Sequence, residues 1–280
     1  MKDGISGFTL ARDCMANDYC IKECVESLLP ICDEVVISDG ESTDGSRELL
    51  ERWVEREPKI RIVDYKWKYP KGDSKWFTDW INDARSHLRY KTMVQLDCDE
   101  ILHSSPECHA AIKAASDAGK ALQVDRLNLW RKDGKPMLIP DGHCVGKWVT
   151  RVGPSELWLP SDEPHLPGEV PILDMAEKAH AVRIWHVGFM RRRDAFYRKS
   201  KIVIEGFFHR WDTRLERGQK EGKELWETEA GADYEHLLEP INCEMPDPVQ
   251  RWLSARGHAT PNYIARLLTA PDPVIEIEPW

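Results

Sequence analysis

"VQLDCDEIL", residues 94–102, decides how the rest of the chain is read. An apolar run ends in two aspartates one residue apart, Asp97 and Asp99, with Glu100 beside them. Like charges this close repel, so solvent, an arginine or lysine, or a metal ion must offset the cost. Alternate residues leaving a strand end can aim both carboxylates at one hard cation. Mg²⁺ or Mn²⁺ prefers few carboxylates plus phosphate oxygens, and such an ion neutralises a nucleotide diphosphate and stabilises its departure. A lone D-x-D recurs by chance, so its weight comes from what precedes it.

What precedes it alternates strand and helix. "ISGFTLA" (5–11) has the β-branched and aromatic content of a strand. Asn17 or Asp18 is placed to cap a helix whose apolar positions, Ile21, Cys24, Val25, Leu28 and Leu29, form the stripe of a helix lying on a sheet; Pro30 ends it. "EVVIS" (34–38) is short and almost wholly apolar, as a strand covered on both faces should be. A polar loop, "DGESTDGS", leads into a helix expected to bury Leu49, Leu50, Trp53 and Val54. "IRIVDY" (60–65) is a third strand. A third helix carries Trp76, Phe77, Trp80, Ile81, Ala84 and Leu88 at helical spacing, and "TMVQL" (92–96) is the fourth strand. This alternation predicts a Rossmann-like, mostly parallel α/β sheet flanked by helices. In such sheets the ligand crevice lies outside the carboxyl ends of the strands, so Asp39 and Asp97 should open onto one edge.

With 280 residues, 41% of them apolar, and a mean hydropathy of −0.53, the chain reads as a soluble globule with one large domain and an appendage. No apolar run is long enough to span a membrane. The start, "MKDGISGFTLARD", is unlike a secretory signal, and the eight cysteines show no CxxC pair. Reduced thiols in a cytoplasmic protein are the expected state. Cys20 and Cys24 fall on the apolar side of the first helix, where a cysteine is usually a small buried hydrophobe rather than a zinc ligand. A net charge of −9 argues against broad nucleic-acid binding, although "MRRRDAFYRKSK" (190–201) forms either a local basic patch or a solvated helix start.

The loop after the second strand is no P-loop, since it lacks the lysine and glycine spacing that wrap a phosphate, and it lacks GxGxxG. Asp39 at a strand end suits hydrogen bonding to a nucleobase or ribose; the alternative is plain turn chemistry, which is the favoured reading for Asp44, Gly45 and Ser46. Three features together resemble the nucleotide-sugar half of family 2 glycosyltransferases of the GT-A fold: "SDGESTDGS" after strand two, Asn82 fifteen positions ahead of the acidic motif, and the D-x-D after an apolar strand. The resemblance covers residues 5–103. It implies a metal-dependent transferase with Mn²⁺ or Mg²⁺ as cofactor and a UDP- or GDP-sugar as favoured donor. It further implies that Asp39 contacts the base, that Asn82 belongs to the nucleotide-sugar contacts, and that Asp97 and Asp99 hold ribose, metal and diphosphate.

Beyond residue 105 the pattern thins. "ALQVDRLNLW" (121–130) and "KPMLIPDGHCVGKWVTRV" (135–152) read as strands joined by a "KDGK" turn, and 181–200 as a strand followed by a helix. His186 stands in "IWHVGFMR", which resembles a late H-x-G-[YF]-x-R segment of the same family. That implies a metal or diphosphate ligand where the bland reading is a core histidine. Arg191 is then a diphosphate clamp, because guanidinium matches phosphate geometry. An inverting transfer needs a carboxylate to take the acceptor's proton. In the family this residue falls between the D-x-D and the late histidine, and "LWLPSDEPHLPGE" (157–169) offers Asp162 and Glu163, with Glu169 and Asp174 as outsiders.

The tail holds "VQRWLSARGHATPNYIARLL", which reads as two short amphipathic helices that line an acceptor groove or anchor an appendage. The expected division is therefore 1–105 for the nucleotide-sugar half, 106–205 for the acceptor half of the same domain, and 206–280 for a C-terminal helical appendage. The acceptor can be a saccharide, a protein, a lipid carrier or a modified nucleobase. The rival readings are a nucleotidyltransferase, against which stands the lack of a Gly-rich activating loop, and a non-catalytic nucleotide-binding or interaction protein.

Overall fold

The computed structural model describes residues 1–67, 75–132, 135–139, 148–155, 177–208, 213–228 and 237–258. Its sheet grows outward from β1 (Lys2–Ala11), which runs parallel to β2 (Glu34–Asp39) on one side and to β4 (Tyr90–Gln95) on the other. β3 (Ile60–Asp64) adds in parallel beyond β2. All six residues of β2 are buried, the polar Glu34, Ser38 and Asp39 as well as the apolar Val35, Val36 and Ile37. Period-two alternation splits β1 between two cores. Ile5 and Ala11 face the side covered by α1 (Ile21–Leu28), α2 (Ser46–Arg56) and α4 (Pro106–Ala118); Phe8 and Leu10 face α3 (Lys75–Ser86). Gly7 lets α1 approach closely, because a Cβ there would lie 2.9 Å from Cys32 Sγ and 3.2 Å from a Leu28 methyl.

The second half of the sheet is mixed. β5 (Glu100–Leu102) pairs antiparallel with β9 (Glu177–His186), while β6 (Leu122–Lys132) runs parallel to β9 and antiparallel to β7 (Lys135–Ile139) and β8 (Trp148–Pro154). β8 joins the halves by pairing with β4, giving the order β3-β2-β1-β4-β8-β6-β9-β5. The direction of strand addition reverses between β1 and β4, and the crevice of such a sheet opens at that point.

Three local expectations are corrected. The cap position of α1 is Cys20, without a side-chain hydrogen bond, rather than Asn17 or Asp18. Asp18 instead turns with φ of 52° and spends its carboxylate on distant arginines. Val54 is 36% exposed, one position off the buried stripe of α2. The helix α4 went unread, although Ser105 caps it through the Cys108 amide, Pro106 opens it and Gly119 (φ 64°) closes it.

After β9 come α5 (Arg193–Phe208), α6 (Thr213–Lys220) and α7 (Asp247–Ser254). The first tail helix expected from the sequence is α7; the second lies outside the described residues. Val249, Trp252 and Leu253 of α7 pack into a core with Cys20, Ile101, Leu127, Leu129, Trp185, Val187 and Met190. Arg251 pairs with Glu26 of α1 at 2.7 Å. α7 therefore anchors to the sheet rather than standing off it.

Candidate functional site

Two acidic places lie along the carboxyl edge. At the end of β2, Asp39 is 3% exposed. The Ser42 hydroxyl donates to its Oδ1 at 2.6 Å, and Arg47, in the first turn of α2, reaches its Oδ2 at 3.4 Å while also bridging to Asp64 at the end of β3. The loop that follows is stitched to the β1–α1 loop: Asp13 N donates to Ser42 Oγ, Met15 N to Ser46 Oγ, Ala16 N to Asp44 Oδ2, and Thr43 N back to Asp13 Oδ1. Asp44 also accepts from Ser46 N at 3.0 Å, a local turn contact, while the cap position of α2 is Gly45. Beside this unit Arg12 stacks on Trp67, 4.4 Å from guanidinium carbon to ring centroid.

The second place forms where β5 meets β9. Glu100 stands opposite His186 in the antiparallel register, and Val187 N donates to Asp99 O at 3.0 Å, so strand pairing itself carries the acidic motif to the late histidine. Of the offsets open to these like charges, arginines and a lysine are the ones beside them. Asp99 is 5% exposed and Glu100 fully buried; only Asp97, with 32% of its side chain exposed, keeps solvent contact. The aspartates turn to different partners. Asp97 Oδ2 lies 3.7 Å from Arg126, which also meets Glu100 at 2.7 Å. Asp99 Oδ2 accepts from Arg191 and lies 3.5 Å from His186 Nε2 and 3.7 Å from Lys199 Nζ. Burial alone would raise the Asp99 carboxyl, but Arg191, Lys199 and His186 outweigh it and hold it well below the usual carboxylate range.

His186 is neutral. Burial, with Arg126 next, depresses it to about 4 against the pull of Asp99. Asn128, its neighbour in the parallel β6–β9 register, lies with Oδ1 3.0 Å from Nδ1, while Nε2 faces Asp99 Oδ2 at 3.5 Å. Nε2 meets the carboxylate as a hydrogen-bond donor or, with the proton on Nδ1, stands beside it as a second metal ligand. Gly188 opens the room: a Cβ on it would sit 2.6 Å from His186 Nε2 and 2.7 Å from Asp99 Oδ2. Among the described residues no three His, Cys, Asp or Glu side chains gather around one ion. The donor set nevertheless fits Mg²⁺ or Mn²⁺ held by two protein ligands, since such ions keep waters and phosphate oxygens in the other positions.

Of the other expected residues, Arg191 is 2% exposed and stacks on Tyr19 at 4.3 Å. Asn82 accepts from Arg85 at 3.0 Å within α3 and is not among the partners of Asp97 or Asp99. Beside it, Trp80 donates to Ser38 Oγ at 2.8 Å and stacks on Tyr65. Asp162, Glu163, Glu169 and Asp174 lie outside the described residues. Arg126, Asn128 and Lys199 were not singled out from the sequence. The first two had a signal: in "VDRLNLW" the polar residues 126 and 128 alternate with Leu127 and Leu129, so one face of a strand core is polar.

A sheet that reverses at β1 and β4, with acidic side chains at its carboxyl edge, defines a nucleotide-binding class of α/β protein. Residues 18–124 match the Glycosyl transferase family 2 model, and this stretch is a glycosyltransferase family 2 domain. No curated protein matches the sequence. Among solved structures, the chain is similar to S. aureus TarS 1–349 in complex with UDP-GlcNAc (16% identity, TM-score 0.44, covering 73% of this chain and 66% of that one). It is similar also to the mannosyltransferase PcManGT from Pyrobaculum calidifontis in complex with GDP-Man and Mn²⁺ (13%, TM-score 0.48, 92% and 70%) and to GalNAc-T7 with UDP, GalNAc and Mn²⁺ (11%, TM-score 0.43, 65% and 43%). The chain spans at most 66% of the TarS structures it matches. Among the described residues no helix is long and apolar enough to cross a membrane.

Proposed function

We propose that this chain transfers a sugar from a nucleoside diphosphate sugar to an acceptor hydroxyl, with inversion at the anomeric carbon. The observation that carries the reading is the cluster at the β5–β9 junction, where Asp99, His186 Nε2 and the room left by Gly188 converge beside Arg191. The family 2 domain match supports it. The charges fit as well. Asp97, Asp99 and Glu100 are balanced by Arg126, Arg191 and Lys199, so one added divalent ion leaves about two positive charges to meet a diphosphate.

Asp99 and His186 would hold Mn²⁺ or Mg²⁺, whose charge stabilises the departing diphosphate when bound. Arg191 keeps Nε and Nη1 without hydrogen-bond partners among the described residues, and these are the donors of a diphosphate clamp. The acceptor oxygen forms its bond to the anomeric carbon as the bond from that carbon to the phosphate oxygen breaks. The electron pair leaves on the diphosphate, and the acceptor's proton passes to a carboxylate, for which Asp162 and Glu163 are the candidates. Asp39 and Asp97 take the base and ribose, with Asn82 at the edge of the same site. UDP- and GDP-sugars are the favoured donors, and the cytoplasm the favoured location. Residues 1–105 then serve the donor, 106–205 the acceptor, and 206–280 form the appendage, in keeping with the packing of α7 onto the sheet.

The test is thermal unfolding with UDP, GDP, CDP, ADP and dTDP, each with and without Mn²⁺. A ligand at a hundred times its dissociation constant adds about 2.7 kcal/mol. One diphosphate should stabilise only with metal. Asp97→Asn should weaken that effect, and Gly188→Ala, which fills the ion's room while keeping every charge, should abolish it. A folded protein indifferent to all five diphosphates refutes the donor reading.

A further inference from the structure

Asp99 is one carboxylate facing two full cations, and only one of them hydrogen-bonds to it. Arg191, buried beside it, makes the direct hydrogen bond. Lys199, in the second turn of α5, holds Nζ 3.7 Å from the same Oδ2, beyond hydrogen-bond length, and forms no hydrogen bond to a described residue. Its three N–H donors are unspent, and 30% of its side chain reaches solvent while that of Arg191 is closed off. An ammonium kept beside a carboxylate that is already neutralised costs desolvation and gains little, unless another anion is to arrive. The unspent Nε and Nη1 of Arg191 face the same need.

We propose that Lys199 binds the donor's diphosphate directly, exchanging its distant pairing with Asp99 for hydrogen bonds to the phosphate that leaves with the nucleotide. This rests on the donor reading above and adds to it a residue outside the D-x-D and the late H-x-G segment. Lysine suits the task, being a compact charge on a flexible stem that can move between two oxygens. As the anomeric carbon–oxygen bond breaks, the electron pair stays on the diphosphate oxygen, and the ammonium lies where that charge collects.

Calorimetric titration with Mg²⁺ tests this, using the nucleoside diphosphate that best stabilises the wild type and its monophosphate, on wild type, Lys199→Gln and Lys199→Arg. Loss of a charged hydrogen bond should weaken diphosphate binding of Lys199→Gln about tenfold or more, leave monophosphate binding within about twofold, and be largely restored in Lys199→Arg. Equal weakening of both ligands would mark Lys199 as a counter-charge that only supports the pocket, and no weakening of either would remove it from the site; each overturns the assignment alone. A wild type that binds no diphosphate more tightly than its monophosphate overturns the donor reading and this assignment with it.

Discussion

The two acidic places on the sheet edge differ in where their partners come from. Asp39 is held by Ser42 and Arg47, three and eight residues ahead of it, within one loop and the helix it opens. Asp99 is held by His186, Arg191 and Lys199, from 87 to 100 residues ahead, and none of them is brought near until β5 has paired with β9. The first is a preformed local turn whose arginine is 30% exposed; the second is a buried charge cluster that exists only in the completed fold. Asp39 is itself buried, but this local turn tolerates the loss of one member, because Arg47 is 30% exposed and keeps other partners. A buried cluster does not, since the partners left behind cannot be hydrated.

The largest effect should therefore come from Asp99→Ala, which strands Arg191 at zero side-chain exposure with Lys199 beside it. Removing one partner of a buried pair costs about 3–5 kcal/mol, read as a drop in the urea midpoint at constant slope. Acid should act in the same direction. With its folded-state pKa depressed, Asp99 contributes stability that is present above the ordinary carboxylate pKa and is lost as pH falls through the lower folded value. An Asp99→Ala unfolding curve as steep with acid as the wild type's, or a loss under about 1 kcal/mol, would mean that the cluster is solvated like the β2 loop.

Asp18 offers an intermediate case. Its carboxylate joins the β1–α1 loop to Arg256 beyond α7 at 2.7 Å and accepts the backbone N–H of Arg192 at 2.8 Å, while Arg192 itself is 66% exposed. Asp18→Ala should cost about 2 kcal/mol by leaving Arg256 unpaired, and should make residues after α7 more open to limited proteolysis. Its own position argues that the tail is tied to the loop preceding α1, so protection of the tail unchanged by the substitution would break that link.

The same contrast explains what could be read from the sequence. β1 to β4 and their helices were legible because each declares itself by local periodicity, and Asp44 was legible as a turn residue because its partner is two residues away. The D-x-D was legible as a pattern, but not as an arrangement. That Asp97 stays partly exposed while Asp99 and Glu100 are buried follows from a three-residue strand too short to carry a periodic signal, paired with a strand 84 residues on. Lys199 lies in a helix whose basic residues read equally as a solvated face, and only the three-dimensional approach to Asp99 separates it from Lys201, which is exposed. Asp18 looked like a helix cap because the sequence shows the aspartate and the helix together, and does not show the arginine 238 residues away.

A smaller effect is expected from Asp39→Asn. The amide oxygen can still accept from Ser42, and Arg47 keeps Asp64 and Glu51, so the cost should be about 1 kcal/mol, near that of an exposed pair. If base recognition runs through Asp39, the variant should lose discrimination among nucleoside diphosphates while remaining folded. Equal stabilisation by all of them in both proteins would assign Asp39 to the turn alone.

The smallest effect should be a local loosening with acid at His258, where the chain leaves α7. Its Nε2–H donates to Met190 O at 2.9 Å, and its Nδ1 accepts from Arg131 at 3.4 Å. Burial, with Arg131 and Arg256 nearby, depresses this imidazole below its ordinary value, although the bond to Met190 and the charge of Asp18 work the other way. The unfolded chain then takes up the proton first as pH falls. The contribution is whole above about 6.5 and is lost as pH falls through the folded-state value, because a proton on Nδ1 removes the acceptor and faces two arginines. Hydrogen exchange at pH 7.5 and 5.5 should show α7 and the Val187–Met190 turn losing protection with acid relative to the β2–α2 loop, where the ties are local. His258→Gln should reduce that difference, since an amide can donate to Met190 O without taking up a proton. An acid-induced change of equal size in the β2–α2 loop, or one unaltered in His258→Gln, would show that distance in sequence is not what sets the sensitivity of these ties.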